Sequence, residues 1–65
     1  MDIQLGKRIK ELRIAGGFTQ RQIAQTLAVT VQAVSKWENE LNYPDISLLP
    51  EIAELFGVTI DRLFR

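Results

Sequence analysis

The side chains that could do chemistry in this 65-residue sequence are carboxylates, amides, hydroxyls, lysines and arginines, because it contains no histidine and no cysteine. Histidine is the most versatile acid–base group, and both missing residues are the usual ligands of zinc. The remaining acidic and basic residues form no cluster typical of a catalytic site. A chain this short also has little room for a sheltered pocket. We therefore expect no enzyme, no metal site and no cofactor.

The charged residues are distributed unevenly, although the formal net charge is 0 and the isoelectric point is about 6.1. Residues 1–36 contain six basic and two acidic side chains, a net charge of +4, whereas residues 37–65 contain two basic and six acidic ones, a net charge of −4. One face of the protein could therefore contact phosphate while another is negative. The same counts also fit an ordinary mixed surface.

The spacing of apolar residues predicts short helices that would hold these side chains, and no segment alternates as a strand does. Leucine and isoleucine at steps of three and four residues predict a helix from about Ile3 to Ala15, which Gly16-Gly17 would end. A capping box that begins at Thr19 predicts a second helix over about 19–27, and Thr30 offers an N-cap to a third over about 30–39. Helices this short are marginal alone, so the pair is expected to pack as a helix-turn-helix.

Two more helices complete the prediction of an all-α fold. Proline fits only the first turn of a helix. A fourth helix with Ser47 as N-cap would put Pro50 at its third position, whereas a start at Asp45 would distort the first turn. Gly57 would end this helix. Thr59 would cap a last turn that contains Ile60, Leu63 and Phe64. We expect one compact domain of five helices over residues 1–65.

The third predicted helix has two faces of different character. At about 100° per residue, Val34 and Trp37 point together toward the core. The opposite side carries Gln32, Lys36 and Asn39, with Val31 and Ser35 on its flanks. From the pattern alone, this side could be either a binding surface or a solvated polar face.

The order of these residues resembles the phage-repressor and Cro family, often called the XRE family. The similarity is carried by Thr19, Gln20, Ile23, Ala24, Val29, Thr30, Val34, Ser35, Lys36, Trp37 and Glu38. It extends to Leu12-Arg13, to Tyr43-Pro44-Asp45-Ile46 and to Leu55-Phe56-Gly57-Val58, and thus covers nearly the whole chain. One such piece would be a weak signal, but the ordered set with these spacings is specific.

The resemblance implies that the third helix is a recognition helix, which lies in the major groove of double-stranded DNA. The residues that would contact base edges are Val31, Gln32, Ser35 and Lys36. The residues that would contact phosphates are Thr19, Gln20, Arg21, Thr30, Asn39, Asn42 and Tyr43. Capping alone is a sufficient role for Thr19. Arg13 and Glu38 match family positions that form an internal ion pair, and Trp37 matches a core position.

The sequence departs from the family pattern in three places. Ala28 stands where many members have glycine, and a left-handed alanine costs about 1–2 kcal/mol. Glu40 replaces a frequent glycine after the recognition helix, which leaves Asn39 as the residue expected to be left-handed. The connector at 41–43 lacks the lysines and arginines that some repressors place on phosphates, so we expect modest DNA affinity per monomer.

The resulting hypothesis is a transcription regulator that binds a palindromic operator as a homodimer, in part through Ile60, Leu63 and Phe64. Those three residues could equally complete the monomer core. No apolar run approaches the roughly 20 residues of a membrane span. We expect a cytoplasmic, nucleoid-associated protein of a bacterium or phage, whether this chain is complete or an N-terminal domain.

The acidic second half supports an alternative, a protein-interaction domain on a repressor scaffold that has lost DNA binding. An antitoxin that binds both an operator and a toxin would combine the two functions. In either case an unidentified protein partner or effector domain would be involved.

Overall fold

The computed structural model describes residues 4–65, which form four α-helices and two 3₁₀ turns and contain no strand. The α-helices are α1 (Leu5–Ala15), α2 (Gln20–Leu27), α3 (Val31–Glu38) and α4 (Leu49–Phe56). The 3₁₀ turns are Ile46–Leu48 and Asp61–Phe64. The all-α prediction is confirmed, but the predicted fifth helix is a 3₁₀ turn, since four residues close only i→i+3 hydrogen bonds. The predicted start at Ile3 lies outside the described residues.

A single apolar core joins all four helices. It consists of Leu5, Ile9, Ile23, Ala24, Leu27, Val34, Trp37, Ile52, Ala53 and Leu63. Phe18 and Phe56 pack edge to face beside it, with ring centroids 6.1 Å apart. None of the helices in residues 4–65 is long and apolar enough to cross a membrane.

The turn between α2 and α3 follows the local signals in the sequence. Thr19 Oγ1 accepts a hydrogen bond from Gln22 N (3.0 Å), and Gln22 Oε1 accepts one from Thr19 N (2.8 Å), which completes the predicted capping box. Ala28 is left-handed, with φ of 57°, and Val29 N donates to Ala24 O at 2.9 Å. Thr30 caps α3 by accepting from Ala33 N at 3.1 Å. The turn that joins α2 and α3 is thus fixed by hydrogen bonds at both of its ends.

The prediction for the end of α3 is wrong, because Glu40 and not Asn39 is left-handed. Glu40 has φ of 60°, whereas Asn39 has φ of −95°. The carboxylate of Glu40 gives the physical reason, since its Oε1 accepts a hydrogen bond from Lys7 N in the first turn of α1 at 2.7 Å. Gln4, the N-cap of α1, supplies no side-chain hydrogen bond. Glu40 therefore caps α1 from the end of α3, and this charge-assisted bond offsets the backbone strain.

Gly6 allows α1 and α3 to meet this closely. A Cβ atom at Gly6 would overlap the carbonyl oxygen of Trp37 and lie 2.6 Å from Glu40 Oε1. That carbonyl accepts a hydrogen bond from Glu40 N at 3.1 Å and is therefore held in place. We call the contact of Gly6, Trp37 and Glu40 the α1–α3 junction.

The chain enters α4 differently from the preferred prediction. Asp45 caps the 3₁₀ turn before α4, where its Oδ1 accepts from Ser47 N at 2.9 Å, and the N-cap of α4 itself is Leu48 and not Ser47. Hydrogen bonding from Ser47, first by its backbone N–H and then by its side chain, holds the pKa of the Asp45 carboxyl below its ordinary value. A helix that starts at Asp45 is expected to have a distorted first turn, and the structure has a 3₁₀ turn at that place. The α-helix begins only after this turn, so Pro50 lies at the second position of α4. Gly57, with φ of 68°, ends α4 as predicted.

Candidate nucleic-acid interface

The two predicted faces of α3 are present in the structure. Val34 and Trp37 are buried in the core, with exposed fractions of 0% and 4%. Gln32, Lys36 and Asn39 are exposed on the other side, while Val31 is 40% exposed and Ser35 is half-buried. The outer face is therefore free to meet a partner without disturbing the core.

The outer face of α3 forms one surface with the start of α2. A shallow, open depression is lined by Gln20, Val31, Gln32, Ser35 and Lys36. All four residues expected at base edges line this depression, together with Gln20, which is expected at a phosphate. A surface that combines amides, a hydroxyl, an ammonium group and an apolar side chain has the chemistry to contact base edges.

The internal ion pair of Arg13 and Glu38 supports this surface from behind. Arg13 Nε donates to Glu38 Oε2 at 2.7 Å, and Arg13 Nη2 donates to Glu38 Oε1 at 3.1 Å. Arg13 Nη1 also donates to Phe18 O at 3.1 Å. Glu38 is buried, with an exposed fraction of 8%, so its charge depends on these donors. The predicted pairing is present.

Gln20 has an internal contact that the sequence analysis missed. Its Nε2 donates to Glu38 Oε1 at 3.0 Å, which joins the start of α2 to the end of α3. The two residues are 18 positions apart, and no local signal in the sequence connects them. Within the described residues, no buried polar side-chain atom lacks a hydrogen-bond partner.

The residues expected at phosphates lie on three segments, namely the start of α2, the start of α3 and the chain that follows α3. Thr19, Gln20 and Arg21 lie at the start of α2, and Thr30 lies at the start of α3. At the other end of α3, Asn39 Nδ2 donates to Ser35 O at 2.9 Å. Asn42 and Tyr43 follow on the connector, both exposed, and Asn42 Oδ1 accepts from Tyr43 N at 3.2 Å.

The positive charge available to phosphate is smaller than the sequence count suggests. Among residues 4–65, Arg8 pairs with Glu11 and Arg13 pairs with Glu38. The basic residues of the first half that form no ion pair within the described chain are Lys7, Lys10, Arg21 and Lys36. Residues 4–65 contain no group of three or more acidic side chains that could hold a metal ion.

An apolar groove lies on the surface formed by α1, the connector and the last turn. It is lined by Leu5, Tyr43, Pro44, Ile46, Leu49 and Phe64. Ile46 is 79% exposed and Tyr43 is 59% exposed. Of the three residues expected at a dimer contact, Leu63 is wholly buried and belongs to the monomer core, while Ile60 and Phe64 remain 42% and 44% exposed.

Comparisons with known proteins identify a family and several relatives. A helix-turn-helix family model matches residues 9–63. The HTH-type transcriptional activator BcrR of Enterococcus faecalis is 38% identical over 61 residues, which are 94% of this chain and 30% of that protein. The HTH-type transcriptional regulator ImmR of Bacillus subtilis is 34% identical over 94% of this chain and 48% of its own length. The chain therefore spans less than half the length of these two relatives.

A solved structure has the same fold. The restriction-modification controller protein C.AhdI of Aeromonas hydrophila matches with a TM-score of 0.85 at 22% identity, over 95% of this chain and 94% of that one. At this identity the similarity concerns the arrangement of the helices.

Proposed function

Because this chain belongs to the helix-turn-helix family of DNA-binding transcription regulators, and not to a family of enzymes, we propose that it reads an operator sequence through the outer face of α3. The observation that carries this proposal is the shared surface of Gln20, Val31, Gln32, Ser35 and Lys36. Within residues 4–65, Val31, Gln32 and Lys36 form no side-chain hydrogen bond or ion pair, so their side chains are available to a partner. An operator-bound regulator of this kind acts at the nucleoid of a bacterium or of a phage-infected cell.

Each proposed base contact follows from the chemistry of the side chain. The Gln32 amide can donate and accept at the N6/N7 edge of adenine, and Lys36 can donate to O6 and N7 of guanine. Val31 can contact the methyl group of thymine, and the Ser35 hydroxyl can either donate to or accept from a base edge. Lys36 also suits a phosphate, since its charge is not paired within residues 4–65.

The proposed phosphate contacts orient α3 without reading sequence. Backbone N–H groups and the side chains of Thr19, Gln20 and Arg21, at the start of α2, can contact one stretch of backbone, and Thr30 can contact phosphate from the start of α3. Asn39, Asn42 and Tyr43 can contact the backbone beyond the other end of α3. Arg21 supplies all of the charge in this group of seven, because the other six side chains are neutral.

We propose further that two copies bind a palindromic operator, with the apolar groove as their contact. The connector that lines this groove follows α3 directly, so a two-fold contact there joins two recognition helices at their C-terminal ends. Exposed apolar surface of this kind on a small domain is typical of an interaction site. Ile60 and Phe64 can take part, whereas Leu63 supports them from the core.

Sedimentation at several concentrations tests the dimer contact. Phe64→Ala and Ile46→Ala should each shift the balance toward monomer, since both side chains line the groove. Ile14→Ala is the matched control, because Ile14 is an isoleucine with 60% exposure that does not line the groove. A monomer–dimer balance that neither groove variant changes would exclude this contact.

Selection of genomic DNA fragments at two salt concentrations tests DNA reading itself. We expect enrichment of fragments that share a palindrome whose half-sites lie about one helical turn apart. The control is a Gln32→Ala/Lys36→Ala chain, which should fold normally because both side chains are exposed. Equal enrichment by the two chains would contradict base reading by α3. If no fragment is enriched at either salt concentration, the groove and the acidic second half would favour a protein-interaction domain instead.

A further inference from the structure

We propose that Glu38, held by Arg13, is a positioning residue that fixes the Gln20 side-chain amide for contact with a DNA phosphate. The ion pair then serves the DNA surface as well as the fold. This inference rests on the proposed function, since it concerns the polarity of an amide group that meets DNA. It is independent of which base sequence α3 reads.

The Glu38 carboxylate is a fixed acceptor. Its Oε2 accepts from Arg13 Nε at 2.7 Å, and its Oε1 accepts from Arg13 Nη2 at 3.1 Å. The guanidinium group is itself held by Phe18 O, which accepts from Arg13 Nη1 at 3.1 Å. A planar guanidinium that donates two parallel hydrogen bonds leaves the carboxylate one orientation. The Glu38 side chain is only 2% exposed, so water does not compete for it.

This acceptor determines which end of the Gln20 amide faces inward. Gln20 Nε2 donates to Glu38 Oε1 at 3.0 Å. A rotation of the amide by 180° would bring its oxygen against the carboxylate, and two acceptors repel each other. The nitrogen therefore stays at Glu38, and the orientation of the amide is set before any partner arrives.

The groups left on Gln20 suit a phosphate. An amide nitrogen carries two hydrogens, and only one of them is used by Glu38. The second N–H has no acceptor within residues 4–65, and the side chain lines the depression on the outer face of α3. A phosphate oxygen only accepts hydrogen bonds, so it requires a donor at this position. A side chain that is already ordered also loses less conformational entropy on binding.

A double-mutant cycle with Gln20→Met and Glu38→Gln tests this role. Methionine keeps the length of the side chain but removes its hydrogen bonds, and glutamine keeps the shape of Glu38 but removes the charge. Gln20→Met should weaken binding about fivefold, on operator and unrelated duplex alike, because a phosphate contact carries no sequence information. In the Glu38→Gln background the same change should cost less than about twofold, since the two sites are coupled. All measurements are made at a temperature where circular dichroism shows every variant folded.

Two further measurements separate positioning from a purely structural role. Gln25→Met is the matched control on α2, because Gln25 is an exposed glutamine for which no side-chain hydrogen bond is found within residues 4–65. It should leave DNA affinity unchanged. In ¹H–¹⁵N spectra of the free protein, the Gln20 side-chain amide should exchange with water more slowly than that of Gln25, and Glu38→Gln should remove the difference.

Each outcome leads to a different conclusion. Equal costs of Gln20→Met in the two backgrounds would overturn positioning while leaving DNA binding intact. If the side-chain amide of Gln20 exchanges with water as fast as that of Gln25, the fixed orientation of the Gln20 amide is overturned without any DNA measurement. If the native chain binds no duplex, the proposed function fails and this inference fails with it, even where the spectra show an ordered amide.

Discussion

Gly6→Ala should destabilise the protein, although the same change in an exposed helix is favourable. Alanine gains about 1 kcal/mol over glycine in a helix interior. At the α1–α3 junction, however, the new Cβ would overlap the Trp37 carbonyl oxygen, which Glu40 N holds at 3.1 Å. The atom that must move is backbone, so α1 has to shift away from α3. Overpacking of this kind costs about 1–3 kcal/mol.

The shift of α1 would also break the hydrogen bond from Lys7 N to Glu40, which is 2.7 Å long. Loss of a helix cap costs about 0.5–2 kcal/mol. Together these terms exceed the gain in helix propensity, and the net loss is about 0.5–4 kcal/mol, which for a domain of this size lowers the melting temperature by roughly 2–30 °C. Thermal and urea unfolding followed by circular dichroism would measure it.

Gly16→Ala is the control for this substitution. Gly16 has φ of −84°, and a Cβ there would first meet the Phe18 ring, a side chain that can move. We therefore expect a smaller loss, below about 1.5 kcal/mol. A Gly6→Ala chain as stable as the native one, or more stable, would refute the close approach of the two helices.

Three other predictions concern the ion pair, the DNA surface and the start of α4. Glu38→Ala should lower the free energy of unfolding by about 3–5 kcal/mol, because Arg13 is left without its partner, whereas exposed Glu54→Ala should change it by less than about 0.5 kcal/mol; equal denaturation midpoints would contradict the pairing. Gln32→Ala should relax base preference at one operator position per half-site, and Arg21→Ala should weaken all sequences alike and reduce the salt slope by about one. An unchanged base preference in the Gln32 variant would refute its assignment. Since the pKa of Asp45 is lowered in the folded state, its contribution to stability is present above its ordinary value of 3.8 and is lost as the pH falls through the lowered value. The stability difference between the native chain and Asp45→Ala, measured by urea unfolding from pH 7 to pH 2, should therefore shrink at the acid end, and a constant difference would contradict the cap.

The parts of the fold that the sequence predicted depend on neighbouring residues. The capping box at Thr19 and the cap at Thr30 follow from interactions within a few positions. Glu40 was missed because its partner, Lys7 N, lies 33 positions away. A carboxylate that satisfies a distant helix can hold a backbone conformation that its own residue type disfavours. Local propensity cannot reveal such a contact.

The candidate site was predictable to the same extent. A helical period was enough to separate Val34 and Trp37 from the outer face of α3. The period could not decide which residues of the last turn enter the core, because Leu63 and Phe64 are neighbours and only packing places the first inside. The bond from Gln20 to Glu38 likewise depends on how α2 and α3 meet in space.

The separation of α3 into two faces has a consequence for how such proteins can diverge. Val31, Gln32 and Lys36 form no side-chain hydrogen bond or ion pair within residues 4–65, while Val34, Trp37 and Glu38 hold the helix. Replacement of the first three therefore leaves folding stability nearly unchanged. After a gene duplication, one copy could acquire a new operator through a few substitutions, each tolerated by the fold, and cross-regulation between the copies would fade as those positions drift apart.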